Sequence, residues 1–193
     1  MKKKTLATAI SIITILFIFT SISYAGDFSP AAWVKAHNSR RYWHGAGELH
    51  WKQTLADQAK DEADKWDGNH PHGQQNYKGL TLEDLQKNPN KYSAEDVVAG
   101  WYAEENAYNA HSNGYTTEPD MTYFYIFGHF TQVVWKQAYW FGCAVGTGGT
   151  ICNYDKGNQG GPSGFKQNVG YNFLRWLQIW LKNFPIFKTI TVP

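Results

Sequence analysis

The sequence has only two cysteines in 193 residues, and it lacks the common catalytic strings: H-E-x-x-H, G-x-S-x-G, a P-loop and C-x-x-C are all missing. A nucleophilic serine or cysteine enzyme therefore has no support in the sequence. There is no Asn-x-Ser/Thr site, so N-glycosylation is not expected, and there is no internal repeat. Excess positive charge is also absent once the first 25 residues are set aside. Lys2, Lys3 and Lys4 lead an apolar stretch from Ile10 to Phe19 that closes on Ser23-Tyr24-Ala25, the pattern of a secretory signal peptide. Removing its three Lys from 18 basic residues leaves 15 against 16 acidic ones, a net charge of −1 with neutral His. Nucleic-acid binding, which needs a clustered basic face, is excluded as an expectation. What is present is 42% hydrophobic and 17% aromatic residues, enough for one soluble domain with a proper core.

Ser29-Pro30 reads as an N-cap followed by Pro at the first helical position, opening a helix to about Arg41. Trp51, Leu55, Ala59, Ala63 and Trp66 recur at three- and four-residue steps and predict a second, amphipathic helix. Residues 69–91 are rich in His, Gly, Gln, Asn and Pro and read as a long irregular connection. Ser93-Ala94-Glu95-Asp96 resembles a capping box and opens a helix that carries Val97, Val98, Trp101, Tyr102 and Tyr108. A polar loop follows from Asn109 to about Met121. The β-branched and aromatic runs Thr122–Phe130, Thr131–Trp135, Tyr139–Val145 and Thr150–Tyr154 predict strands. Helices first and strands second argue for an α+β fold.

Export makes a disulfide the expected state of the two cysteines. A hairpin loop centred on Thr147-Gly148 places Cys143 opposite Cys152 at a non-hydrogen-bonded pair, where Cα atoms approach to roughly 4.5 Å, within disulfide reach. Such a bond closes a short loop, contributes about 2–3 kcal/mol at most, and holds hairpin register.

The chemistry-bearing residues that remain are His70, His72, Glu83, Glu104, Glu105 and His129. Two imidazoles with nearby carboxylates suit a divalent metal, Zn²⁺ first, or general acid/base work. Helical periodicity does not choose between Glu104 and Glu105, and for each of these residues a solvated or hydrogen-bonded helix position is the competing reading. His37 reads as a helix-packing residue and His111 as exposed. Tyr123-Phe124-Tyr125-Phe127 reads as core strand, with a lipid or sterol site as the alternative. Trp101 and Trp135 read as core.

Gly128-His129-Phe130-Thr131-Gln132-Val133-Val134-Trp135 resembles the G-H-[FY]-[ST]-Q-[LIVM]-V-W signature of the CAP superfamily, also called SCP/TAPS. This group contains the plant pathogenesis-related proteins 1, insect venom allergens and cysteine-rich secretory proteins. Cys152-Asn153-Tyr154 followed by Gly157-Asn158 is similar to its second signature, with Gly142-Cys143 and Phe165-Lys166-Gln167-Asn168-Val169 resembling flanking family patterns. Upstream, His37-Asn38-Ser39-Arg40-Arg41 is similar to H-N-x-x-R, Leu49-His50-Trp51 to L-x-W, and Trp101-Tyr102-Ala103-Glu104 to W-[YV]-[DN]-E. Leu82-Glu83-Asp84-Leu85 is a looser match to G-E-N-L, with Leu for Gly and Asp for Asn. The resemblance covers about residues 30–170.

It implies a three-layer α-β-α sandwich with a central antiparallel sheet. It also implies a cavity where Glu83, Glu104, His129 and a first histidine, His70 or His72, converge on Zn²⁺ or another divalent cation. The function it implies is a secreted, non-enzymatic module with an apolar surface for a lipid, sterol or protein partner. The rival is an extracellular metal- or His/Glu-dependent hydrolase, a protease, using Glu83, Glu104 and His129. Beyond the domain, the tail over 171–193 includes an amphipathic stretch, 171–184, with Trp176 and Trp180 on a wide apolar face. It is too short and polar to span a bilayer, which leaves packing on protein or contact with a membrane surface.

Overall fold

The computed structural model describes residues 26–65, 92–158, 164–173 and 177. The leader, the 69–91 connection with His70, His72 and Glu83, and nearly all of the tail lie outside the described residues. Ser29 caps α1 (Pro30–Arg41), its hydroxyl accepting from the Ala32 N–H, and a 3₁₀ turn over Tyr42–His44 follows. The second helix begins later than the periodicity predicts. Trp51 belongs to a two-residue strand, β1 (His50–Trp51), and α2 (Gln53–Lys65) starts after it. The capping box forms at Ser93 and Asp96 and opens α3 (Ala94–Tyr102). One long helix was expected here. The chain breaks at Ala103 and Glu104 and resumes as α4 (Glu105–His111).

The segment 122–135 corrects the strand expectation: it forms a 3₁₀ stretch (Met121–Ile126) and then α5 (Gly128–Val133). The Asp120 carboxylate takes the Thr122 N–H and starts the turn. Phe127, Phe130 and Val134, spaced by three and four, are fully buried, so helical burial overrides strand propensity. The aromatic run is accordingly not a core strand. Phe127 is buried, whereas Tyr125 is 74% exposed. His111, expected to be exposed, is half-buried with its ring stacked on Tyr123 at 4.0 Å.

The strands β2 (Trp140–Val145) and β3 (Thr150–Tyr154) form the expected hairpin, with Cys143 opposite Cys152 and a disulfide between them. Gly146 and Gly149 exchange both backbone hydrogen bonds around the Thr147-Gly148 loop. β1 pairs with β2 in parallel, so the three-stranded sheet is mixed, not wholly antiparallel. A short helix, α6 (Phe165–Asn168), follows the hairpin, and Glu118 accepts the N–H groups of Gly164, Phe165 and Lys166 at its start.

α2 covers one face of the sheet and α1 and α3 the other, giving a three-layer α-β-α sandwich. On the α2 side the contact is backbone to backbone. Ala56, Ala59 and Ala63 are buried against the sheet, where Gly142 of β2 and Gly146 just after it leave no room for a side chain. A Cβ at Gly142 would strike the backbone of Leu55 and Ala56. Gly142→Ala is expected to lower stability by about 1–3 kcal/mol, read as a shift in urea midpoint without a change in slope. An unchanged midpoint would contradict the close packing. Among the described residues, no helix is long and apolar enough to cross a membrane.

Candidate functional site

Glu104 sits at the break between α3 and α4, where its side chain turns toward the start of α5. One carboxylate oxygen pairs with His129 Nδ1, and the other accepts the backbone N–H groups of His129 at 3.0 Å and Phe130 at 3.2 Å. The carboxylate thus satisfies two first-turn donors of α5 and orients the imidazole together. Because an ionised carboxylate only accepts, Nδ1 carries the proton and the lone pair of the neutral ring lies on Nε2. Trp101 stacks on the ring at 5.9 Å and 12°, which fixes its plane. The two side chains remain 18% and 21% exposed, so the pair borders solvent. Glu105, one residue on, goes elsewhere: it accepts from Tyr115 Oη at 2.8 Å and lies 3.4 Å from Asn172 Nδ2.

α5 is held in place by the loop after β3. The Asn158 side-chain amide donates to Gly128 O and Thr131 Oγ1, both at 2.6 Å, and its backbone N–H donates to Gln132 Oε1 at 2.9 Å. Gln132 Nε2 returns to Lys156 O at 3.0 Å. Asn158 and Gln132 are buried. Thr131, Gln132 and Asn158 have no chemistry of their own at the site; they clamp the short helix that carries His129. No periodicity or charge pattern in the sequence marks them for this role.

His44 is likewise unmarked by any pattern in the sequence. It is buried, with Nδ1 at 2.6 Å from Gly170 O and Nε2 at 2.9 Å from Tyr102 Oη. Burial pushes its pKa down, opposed by the Gly170 carbonyl and Glu105. The Tyr102 hydroxyl, pushed up by burial and by Glu105, also accepts from Asn172 Nδ2 at 3.0 Å. This network ties the helical layer to residues 170–172. His37 packs in the core as the sequence suggests, fully buried between Trp33, Phe141 and Tyr154.

The described residues bring together one imidazole, its carboxylate partner and an aromatic wall. A histidine whose Nδ1–H is held by a carboxylate has the arrangement of a metal-bound histidine, so His129 fits one ligand position, with Glu104 behind it.

The profile of the cysteine-rich secretory protein family, CAP, matches residues 34–154, from within α1 to the end of β3. The chain belongs to the CAP family. Fruiting body protein SC7 of Schizophyllum commune is 38% identical to this CAP protein over 113 residues, 58% of this chain and 48% of SC7. The chain therefore spans about half the length of that relative. Pathogenesis-related protein 1 of Arabidopsis thaliana is 32% identical over 143 residues, covering 67% of this chain and 78% of the relative. Among solved structures, Na-ASP-1 superposes with a TM-score of 0.51 at 17% identity, over 79% of this chain and 45% of its own, a likeness of fold. In this CAP domain both sequence signatures meet at α5, one supplying His129 and the other the Asn158 clamp.

Proposed function

We propose that the protein is an exported, non-enzymatic binding module whose His129 Nε2 holds a divalent cation, Zn²⁺ or another, next to an apolar surface for a lipid, sterol or protein partner. The Glu104 carboxylate behind His129 Nδ1 carries this reading: it holds the proton on Nδ1 and raises the basicity of the ring at Nε2. The second imidazole is assigned to His70 or His72, with Glu83 beside it. Tyr123 and Tyr125, 39% and 74% exposed in the 3₁₀ stretch that precedes α5, supply the exposed aromatic surface. The leader and the disulfide support export. Both oxygens of Glu104 are engaged, by His129 Nδ1 and by two backbone N–H groups, which favours a positioning role over that of a base in a hydrolase.

Calorimetric titration of the mature protein with Zn²⁺ at neutral pH tests this. Saturable binding is expected in the wild type, lost in His129→Ala and in one of His70→Ala and His72→Ala, and weakened about 10–100-fold in Glu104→Gln. Binding that ignores His129 would refute the assignment. Turnover of a peptide library, lost in both His129→Ala and Glu104→Ala, would establish the hydrolase instead.

A further inference from the structure

A second ligand set lies on the inner face of the sheet, away from the Glu104 carboxylate. His37, Cys143 and Cys152 each offer one ligand atom within 4.8 Å of the others, and all three residues are buried. These are the only cysteines of the chain. We propose that reduction of the Cys143–Cys152 bond turns this cluster into a site for a thiophilic divalent cation, Zn²⁺, held by two thiolates and His37 Nε2.

Hairpin register does not depend on the disulfide alone, so the sulfurs stay on one side of the sheet after reduction. Pairs flank them on both sides, Phe141 with Tyr154 and Val145 with Thr150. The loop is anchored separately: Thr147 N–H donates to the Asp64 carboxylate at 3.0 Å, and Gly148 N–H to Ala63 O at 2.8 Å. The cysteine Cα atoms are 4.0 Å apart. Tetrahedral zinc with bonds of about 2.3 Å needs the sulfurs roughly 3.8 Å apart, a separation that side-chain rotation supplies.

The imidazole is already oriented for ligation. Nδ1 donates to Trp33 O at 2.8 Å, which leaves the lone pair on Nε2, where it accepts from Tyr154 Oη at 2.7 Å. A ring N–H held by a backbone carbonyl is the usual outer partner of a metal-bound histidine. The incoming cation takes the place of the Tyr154 hydroxyl proton at Nε2. Charge also fits a buried site. Two thiolates cancel the charge of Zn²⁺ and the imidazole is neutral, so no net charge is buried.

The chemistry is balanced with an external dithiol as reductant. The dithiol gives two electrons and two protons and becomes a disulfide, while Cys143 and Cys152 become thiols. Zinc binding then releases both thiol protons. Because His37 and Cys152 are fully buried, uptake requires the hairpin to open and is expected to be slow.

The test uses the full mature chain, reduced with dithiothreitol, freed of it by anaerobic gel filtration and titrated with Co²⁺ as a coloured stand-in for Zn²⁺. One Co²⁺ per chain should produce thiolate-to-cobalt charge-transfer absorption that Zn²⁺ abolishes. The band should be absent from the oxidised protein and from Cys143→Ser, and unchanged in His129→Ala, which separates this site from the one proposed above. His37→Gln should weaken binding at least tenfold. The proposal is overturned by no band in a reduced chain that keeps its native circular dichroism, or by a reduced chain that loses that dichroism. Equal affinity in urea, or in His37→Gln, would overturn it too.

Discussion

Replacing Arg41 by methionine is expected to cost on the order of 4 kcal/mol, a large part of a typical stability of about 5–15 kcal/mol. Arg41 is fully buried, and its guanidinium donates to four backbone carbonyls. Nε reaches Gly47 O at 2.7 Å, Nη1 reaches Val133 O at 3.0 Å and Trp135 O at 2.9 Å, and Nη2 reaches Ala138 O at 3.0 Å. Burial lowers its pKa to about 10, partly opposed by Tyr154 and Asp155, so it stays charged at neutral pH. Three of the bonds join the end of α1 to the end of α5 and the chain entering β2, and the fourth holds the loop before β1 at Gly47. In the variant, Trp135 O retains the Ala138 N–H at 3.1 Å. The other three carbonyls each face the cost of a lost donor, about 1–3 kcal/mol. Arg41→Lys should fare little better, because an ammonium cannot span the fork. Urea denaturation measures the effect, and a loss below about 1 kcal/mol in Arg41→Met would show that the carbonyls find other donors.

Mild acid should destabilise the protein through histidines that have no part in the proposed cation site beside Glu104. Burial draws the His37 pKa from 6.5 down to about 3; the Trp33 carbonyl opposes this, and the charges of Arg41 and Arg40 add to it. His44 is shifted in the same direction. The unfolded chain therefore binds protons that the native state does not. Stability is intact above pH 6.5 and falls as pH drops toward the folded pKa, by about 1.4 kcal/mol per unit for His37. Between pH 6.5 and about 4.5 the His37 share is roughly 2–3 kcal/mol, and His44 adds to it. The carboxyls held low by hydrogen bonds, Asp27, Asp64 and Asp120, exert their effect only below this window. Urea stability of wild type and His37→Gln, compared at pH 7 and about pH 4.5, isolates the term. The variant should lose about 2 kcal/mol less than the wild type, and parallel losses would assign the acid sensitivity elsewhere.

The sequence was most legible where a feature is local. Ser29-Pro30, the Ser93/Asp96 box and the Thr147-Gly148 loop each carry their own geometry, and from the loop the cysteine pairing follows by counting. It was least legible where partners are distant in the chain. Residues 122–135 have strand composition, and only burial of Phe127, Phe130 and Val134 on one side reveals helix. Periodicity leaves Glu104 and Glu105 equal, and only the resemblance of Trp101-Tyr102-Ala103-Glu104 to W-[YV]-[DN]-E selects Glu104, the carboxylate that reaches His129, 25 residues away. Arg41 and His44 resemble surface residues of a polar segment. Their carbonyl partners are invisible in a sequence, because every residue but proline offers the same backbone groups.

The Cys143–Cys152 bond also changes what a protease can do to the molecule. It makes the hairpin tip a covalent ring, with the exposed Thr147 at its outer edge. A cut anywhere between the two cysteines opens the ring without releasing a fragment: the helical layers and the tail beyond β3 remain one molecule, and separate only when the bond is reduced.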